Sequence, residues 1–233
     1  GALPILFSGQ VGNNVTVSAS SGTIVQSNAG SWTFQQVFAV GGFPGDPAID
    51  NDGNLYVVNA NGFISKFNSA GTLIGTLTLG FQPGGMAVDS AGGVFYVTAL
   101  GGAGSGKVYS YSLAGVQLSS FGAPGSGDGQ LNTPYNIAID PTGGNLFVVD
   151  GGNNRIQVFT PAGVFVRKWG SLGSGAGQFN FPQGIRVSTD GKVYVTDRSN
   201  NRIQYFDTSG TYLGQWGSSG AGDGQFKIGR AHV

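Results

Sequence analysis

Two short strings hold the chain's most pointed chemistry. Asp150-Gly-Gly-Asn-Asn-Arg155 and Asp197-Arg-Ser-Asn-Asn-Arg202 each set an acid ahead of a base across a four-residue loop. If the acid ends one strand and the base begins the next, the two lie opposite each other and point to one face of an antiparallel hairpin. The spacing therefore predicts an ion pair that staples the turn near the surface, worth no more than about 1 kcal/mol. A catalytic carboxylate is the lesser reading. The equivalent places upstream hold Asn59 and Ala99 for the acid and Phe63 and Lys107 for the base, and their turns are rebuilt with Gly and Asn, which accept positive φ.

Other candidates weigh in the same direction. Asp50, Asp89 and Asp140 end successive apolar runs. Three carboxylates so placed can ring a cation, but Asp at such a position more often caps a turn through its own backbone. Arg186 stands where the other units carry Ala48, Ala87 and Ala138. An unpaired buried guanidinium is costly, so Arg186 is expected to pair with a carboxylate such as Asp197 or, failing that, to reach a central channel. The glycine-rich strings 122–131, 170–179 and 217–226 have no following Lys-Ser/Thr and open no helix, so they do not cradle phosphate. Asp128 and Asp223 correspond to Ala176, and one Asp per loop is far from the roughly six to eight oxygens that calcium takes. The chain has no Cys, and its one histidine is His232, so neither a disulfide framework, a thiolate metal site nor a His-based triad is in view. No cofactor is expected.

What must position these residues is a repeat. The apolar blocks around Tyr56, Tyr96, Phe147 and Tyr194 recur every 40 to 50 residues or so. Each sits between a short run opened by Pro and a third run such as Ile156-Gln-Val-Phe159 or Ile203-Gln-Tyr-Phe206, followed by Ala-Gly or Ser-Gly and a fourth. Four short strands per unit of this length is the sequence form of a β-propeller blade. With 44 Gly and only 9% charged residues the fold class is all-β and turn-dense. The repeat places a degenerate or partial blade over 1–42 and four blades at about 43–80, 81–130, 131–178 and 179–227. Residues 228–233 match no part of the repeat and resemble translated adapter sequence.

The segment Pro182 to Asp207 closely resembles the NHL repeat, and Pro134 to Phe159 does so nearly as well. The resemblance is weaker over 43–130, where the motif's Asp and Arg are replaced. It implies a propeller of typically six blades, of which this chain would be an incomplete fragment. NHL propellers are usually platforms for protein, RNA or carbohydrate; a minority are lyases or lactonase-like enzymes. Formal charge is zero, which disfavours nucleic acid and anionic membrane, and no apolar run approaches the ~18 residues of a membrane span. The reading is thus a non-enzymatic platform for a protein or glycan ligand. The alternative is a channel-centred lyase or lactonase-like enzyme whose catalytic residues lie in a further blade. Low charge with abundant Gly, Ser, Thr and Asn leans toward a secreted or cell-surface setting. The expected binding face gathers the second-to-third-strand turns and the glycine loops at one end of the blades: Tyr135, Asn153, Asn154, Arg155, Gln183, Arg198, Asn200, Asn201 and Arg202.

Overall fold

The computed structural model describes residues 16–18, 23–25, 44–102 and 104–226. Strands β1 (Thr16–Ser18) and β2 (Thr23–Val25) form an antiparallel hairpin. The rest of the expected N-terminal blade lies outside the described residues, as do the 228–233 tail and His232. Four four-stranded antiparallel sheets follow, each in sequence order. The first holds β3 (Pro44–Ile49), β4 (Leu55–Asn59), β5 (Phe63–Phe67) and β6 (Leu73–Thr78). The second holds β7 (Gln82–Asp89), β8 (Val94–Gly101), β9 (Lys107–Ser112) and β10 (Gln117–Phe121). A short parallel pair, β11 (Ala123–Pro124) with β12 (Gln130–Leu131), closes the following loop on itself. The third sheet holds β13 (Pro134–Ile139), β14 (Leu146–Asp150), β15 (Arg155–Phe159) and β16 (Phe165–Trp169). The fourth holds β17 (Pro182–Val187), β18 (Lys192–Asp197), β19 (Arg202–Asp207) and β20 (Tyr212–Trp216). The only helix among the described residues is two three-residue 3-10 turns, Gly151–Asn153 and Arg198–Asn200. The chain is all-β, built of consecutive propeller blades.

Sequence dictates the layering. The second strand of a blade is covered on both faces, so it reads as an unbroken apolar run; every residue of Leu55–Asn59 and Leu146–Asp150 is buried. Fourth strands lie outermost and alternate, as Phe165–Trp169 does. The cores sit between neighbouring sheets: Phe147, Val149, Ile156 and Val158 pack on Ile185, Val193, Val195 and Phe206. First strands lie innermost, where Ala48, Ala87, Ala138 and Arg186 line one shared groove of about 220 Å³.

Candidate binding face

The acid–base strings meet as expected in register, Asp150 opposite Arg155 and Asp197 opposite Arg202. In each pair Nε of the Arg lies 2.7 Å from Oδ2 of the Asp. Their setting corrects the surface-staple expectation. Asp150 and Asp197 are 0% exposed and Arg155 and Arg202 7% and 6%, because the glycine loop that precedes each sheet folds over the hairpin. Arg155 donates from Nη1 to the Ser126 carbonyl (2.8 Å) and from Nη2 to the carbonyls of Gly127 (2.8 Å) and Gln130 (2.9 Å). Arg202 repeats this on Ser174, Gly175 and Gln178. A planar fork of fixed donors suits a ring of carbonyls.

Gln157 and Gln204, which the sequence reading passed over, complete the lock. Each donates from Nε2 to the loop carbonyl of Gln130 or Gln178 and to the Asp, and accepts from the backbone amide of Gly129 (3.0 Å) or Gly177 (2.9 Å). The signal was present as the recurring Arg-Ile-Gln. Asn153 and Asn200 bridge their Asp to the carbonyls of Gly125 and Gly173. The loop must be glycine where it crosses an aromatic: Gly170 has φ +99°, and a Cβ there would lie 2.6 Å from the Phe179 ring.

Most of the expected binding face is therefore committed to holding the blades together. Arg155, Arg202, Asn153 and Asn200 are spent on the loops. Asn154 and Asn201 take left-handed φ of 54° and 51° as caps of the 3-10 turns, and Asn154 Oδ1 accepts from the Phe181 amide at 2.8 Å. The structure does bring turn and loop classes to one end, since the Gly152 and Ser199 amides donate to the carbonyls of Asn132 and Asn180.

What is left there is an aromatic and cationic patch. Phe181 stands edge-on to Tyr135, ring centroids 5.1 Å apart, and the Arg198 guanidinium lies over the Phe181 ring at 5.7 Å. All three are half-buried, as is Gln183 beside them on β17. Phe181 went unremarked in the sequence, yet its backbone φ is +57°, and its counterpart Thr133 has +51°. A bulky or β-branched residue in that region costs on the order of 1–3 kcal/mol and is held only by its surroundings.

Arg186 lines the inner groove, solvent-exposed, with Nη1 donating to the Ile185 carbonyl at 2.9 Å, while the Asp197 carboxylate is held by Arg202, Asn200, Gln204 and the Asn180 amide. The inner-strand acids cap turns. Asp50 accepts from the amides of Asp52 and Asn54, the Asn54 side chain and the Tyr56 hydroxyl; Asp140 accepts from Thr142 twice, and Asp89 from the Gly92 amide. Burial acts to raise the Asp50 carboxyl, but the bonds from Asn54 and Tyr56 and the Lys66 charge together hold it below its ordinary value. Burial, then the Asp50 bond and charge, push the Tyr56 hydroxyl up. Asp140 is held low in the same way, by Thr142 and Gly143 against burial. Among the described residues no group of three His, Cys, Asp or Glu is placed to hold a metal ion, and no helix is long and apolar enough to cross a membrane.

The NHL repeat family model matches residues 131–159 and 179–206, the two sheets that carry the Asp–Arg–Gln lock. No curated protein sequence matches the chain. Solved structures of similar shape include a nidogen/laminin complex, at 18% identity and TM-score 0.64 over 86% of this chain and 74% of that one. Virginiamycin B lyase from Staphylococcus aureus aligns at 18% identity and TM-score 0.65 over 88% of this chain and 69% of the lyase. Hydrazine synthase of Kuenenia stuttgartiensis aligns at 20% and 0.58 over 74% of this chain, which spans about half (48%) of the synthase chain. At such identities the likeness is one of fold.

Proposed function

Starting from an NHL-repeat protein of β-propeller fold, we propose that the chain is a non-enzymatic platform that binds a protein through the patch of Tyr135, Phe181, Gln183 and Arg198. The observation that carries this reading is the strained Phe181, which holds its ring between Tyr135 and Arg198 at the one end of the blades where loops converge. Aromatic and Arg side chains are what protein interfaces enrich at their anchors. The nidogen/laminin likeness is in keeping with it, since that propeller is seen in a protein complex.

A second reading, chemistry in the central groove, is favoured by Arg186 there and by the shape likeness to virginiamycin B lyase, also solved with quinupristin as a catalytically inactive histidine-to-alanine variant. Among the described residues that line the groove there is one guanidinium and neither carboxylate nor imidazole, so none of these can serve as a general base.

The test is affinity measurement against a partner recovered by crosslinking from the source cells. Tyr135→Ala with Arg198→Ala is expected to weaken binding tenfold or more, about 1.4 kcal/mol, with the unfolding transition unchanged. Undiminished binding, with loss instead from changes at the opposite-end turns around Thr160 and Ser209, would refute the assignment. Consumption of quinupristin by the purified chain would favour the second reading.

A further inference from the structure

We propose that the cleft between the first and second sheets binds a small aryl carboxylate, its ring taking a place that aromatic side chains fill at the two later inter-sheet seams and its anion meeting Lys66. The cleft has a volume of about 130 Å³ and lies beside the turn Leu113-Ala-Gly115, at the end of the blades away from Tyr135 and Arg198.

Two places that are filled at the seam of the third and fourth sheets are vacant here. Leu77, Phe121 and Trp169 occupy the first, opposite Ile64, Val108 and Ile156. Trp169 spans its seam, with ring centroids 6.0 Å from Phe147 on its own sheet and 5.7 Å from Phe206 on the next, and Phe121 reaches Phe159 at 4.9 Å. Leu77 brings no ring. The second place belongs to the row Tyr56, Lys66 and Gly75, which lie opposite one another across β4, β5 and β6 and so share a face. The matching row of the third sheet is Phe147, Val158 and Arg167, and Arg167 crosses its seam to donate to the Thr208 carbonyl. Gly75 brings nothing: a Cβ there would meet no atom within 4 Å.

The walls of the space left are apolar, from Ile64, Leu77, Phe95, Leu113 and the Tyr56 ring, and Lys66 is the charged residue among them. Its Nζ lies 4.8 Å from the centre of the Tyr56 ring, 3.9 Å from Asp50 Oδ2 and 3.5 Å from the Leu113 carbonyl. Both polar distances exceed those of a well-formed hydrogen bond. Asp50, meanwhile, already accepts from Asp52, Asn54 and Tyr56. The ammonium, 24% exposed, therefore keeps N–H donors for a further acceptor, and a charged acceptor makes the stronger bond. An apolar cavity of ~150 Å³ takes benzene, so this cleft suits a single ring. A neutral ring would cover the ammonium without giving it a partner, which costs free energy; a carboxylate on the ring supplies one.

The test titrates benzoate into the isotope-labelled chain and follows the amide resonances of Gly75 and Gly115. Both are expected to shift with a Kd of about 1 mM or below, and benzyl alcohol, the same ring without the charge, to bind about tenfold more weakly. Lys66→Met should weaken benzoate about tenfold and leave benzyl alcohol unchanged. Gly75→Val and Leu77→Phe, which fill the two vacant places, should each abolish the benzoate shifts with the thermal midpoint held or raised. No shift at about ten times that Kd overturns the inference. So do shifts confined to residues around Arg186, acetate binding as well as benzoate, or benzoate binding unchanged in Lys66→Met or Gly75→Val. A peptide ending in phenylalanine that binds about tenfold more tightly than benzoate, or a benzoate affinity that falls as protein concentration rises, also overturns it, because the occupant is then a chain end or a second copy.

Discussion

The first and second sheets are joined differently from the second and third or the third and fourth. Three residues, Leu79-Gly-Phe81, link the first pair, and Phe81 stacks on Tyr109 with centroids 4.6 Å apart. In the later pairs a ten-residue glycine loop is pinned by a buried Arg and Gln. Tyr109 occupies the register place of Gln157 and Gln204, and Lys107 that of Arg155 and Arg202. One stacking geometry is thus reached by apolar contact in one half and by a satisfied polar network in the other. The polar solution is more specific and less forgiving: a buried carboxylate and its partner work only together. The apolar solution leaves slack. Where Trp169 fills the space under Gly210, Leu77 only grazes Gly115, and a cleft of about 130 Å³ lined by Tyr56, Lys66, Leu77 and Phe95 persists.

The largest test of this contrast is Arg202→Met. It strands the buried Asp197 and three loop carbonyls, so chemical denaturation should show a loss of about 3–5 kcal/mol, whereas Lys107→Met at the matching place should fall within about 0.5 kcal/mol. Near-equal losses would mean that the lock is no more than the surface staple its spacing suggests. A middle-sized test compares hairpin glycines. Gly210→Ala puts a Cβ about 2.8 Å from the Trp169 indole at φ +94°. Left-handed strain of about 1–2 kcal/mol then adds to overpacking of about 1–3 kcal/mol. Gly115→Ala, at φ +85° with Leu77 at 3.7 Å, should show the strain alone. If the two cost the same, inter-sheet packing is equally loose throughout.

The smallest effect is in acid. Asp50 in the first sheet and Asp140 in the third are both held below the ordinary value of 3.8 by turn hydrogen bonds. A carboxyl lower in the folded than in the unfolded chain contributes stability above the unfolded value and loses it as pH falls through the folded one. Stability should therefore decline below about pH 4, and Asp50→Asn should flatten that decline modestly while leaving the neutral-pH response of the Arg-locked half untouched. A steeper decline in the variant would reverse the assignment.

Repetition determined most of what the sequence could say alone. The recurring aromatic blocks and Gly-containing turns specify strand number, order and register, because a side-chain period of two and obligatory turn residues act locally. The Asp–Arg pairing was legible for the same reason, being set by a hairpin of fixed loop length. Its burial was not. That depends on the loop 122–131 or 170–179 arriving from the preceding sheet and laying its carbonyls over the guanidinium, a contact between residues 24 to 29 positions apart. The same folding over turned Arg155, Arg202, Asn153 and Asn200 of the expected binding face into struts. Only tertiary structure decided that Phe181 would be forced into a left-handed backbone between Tyr135 and Arg198. No local preference puts a bulky side chain there, so packing between two blades had to impose it.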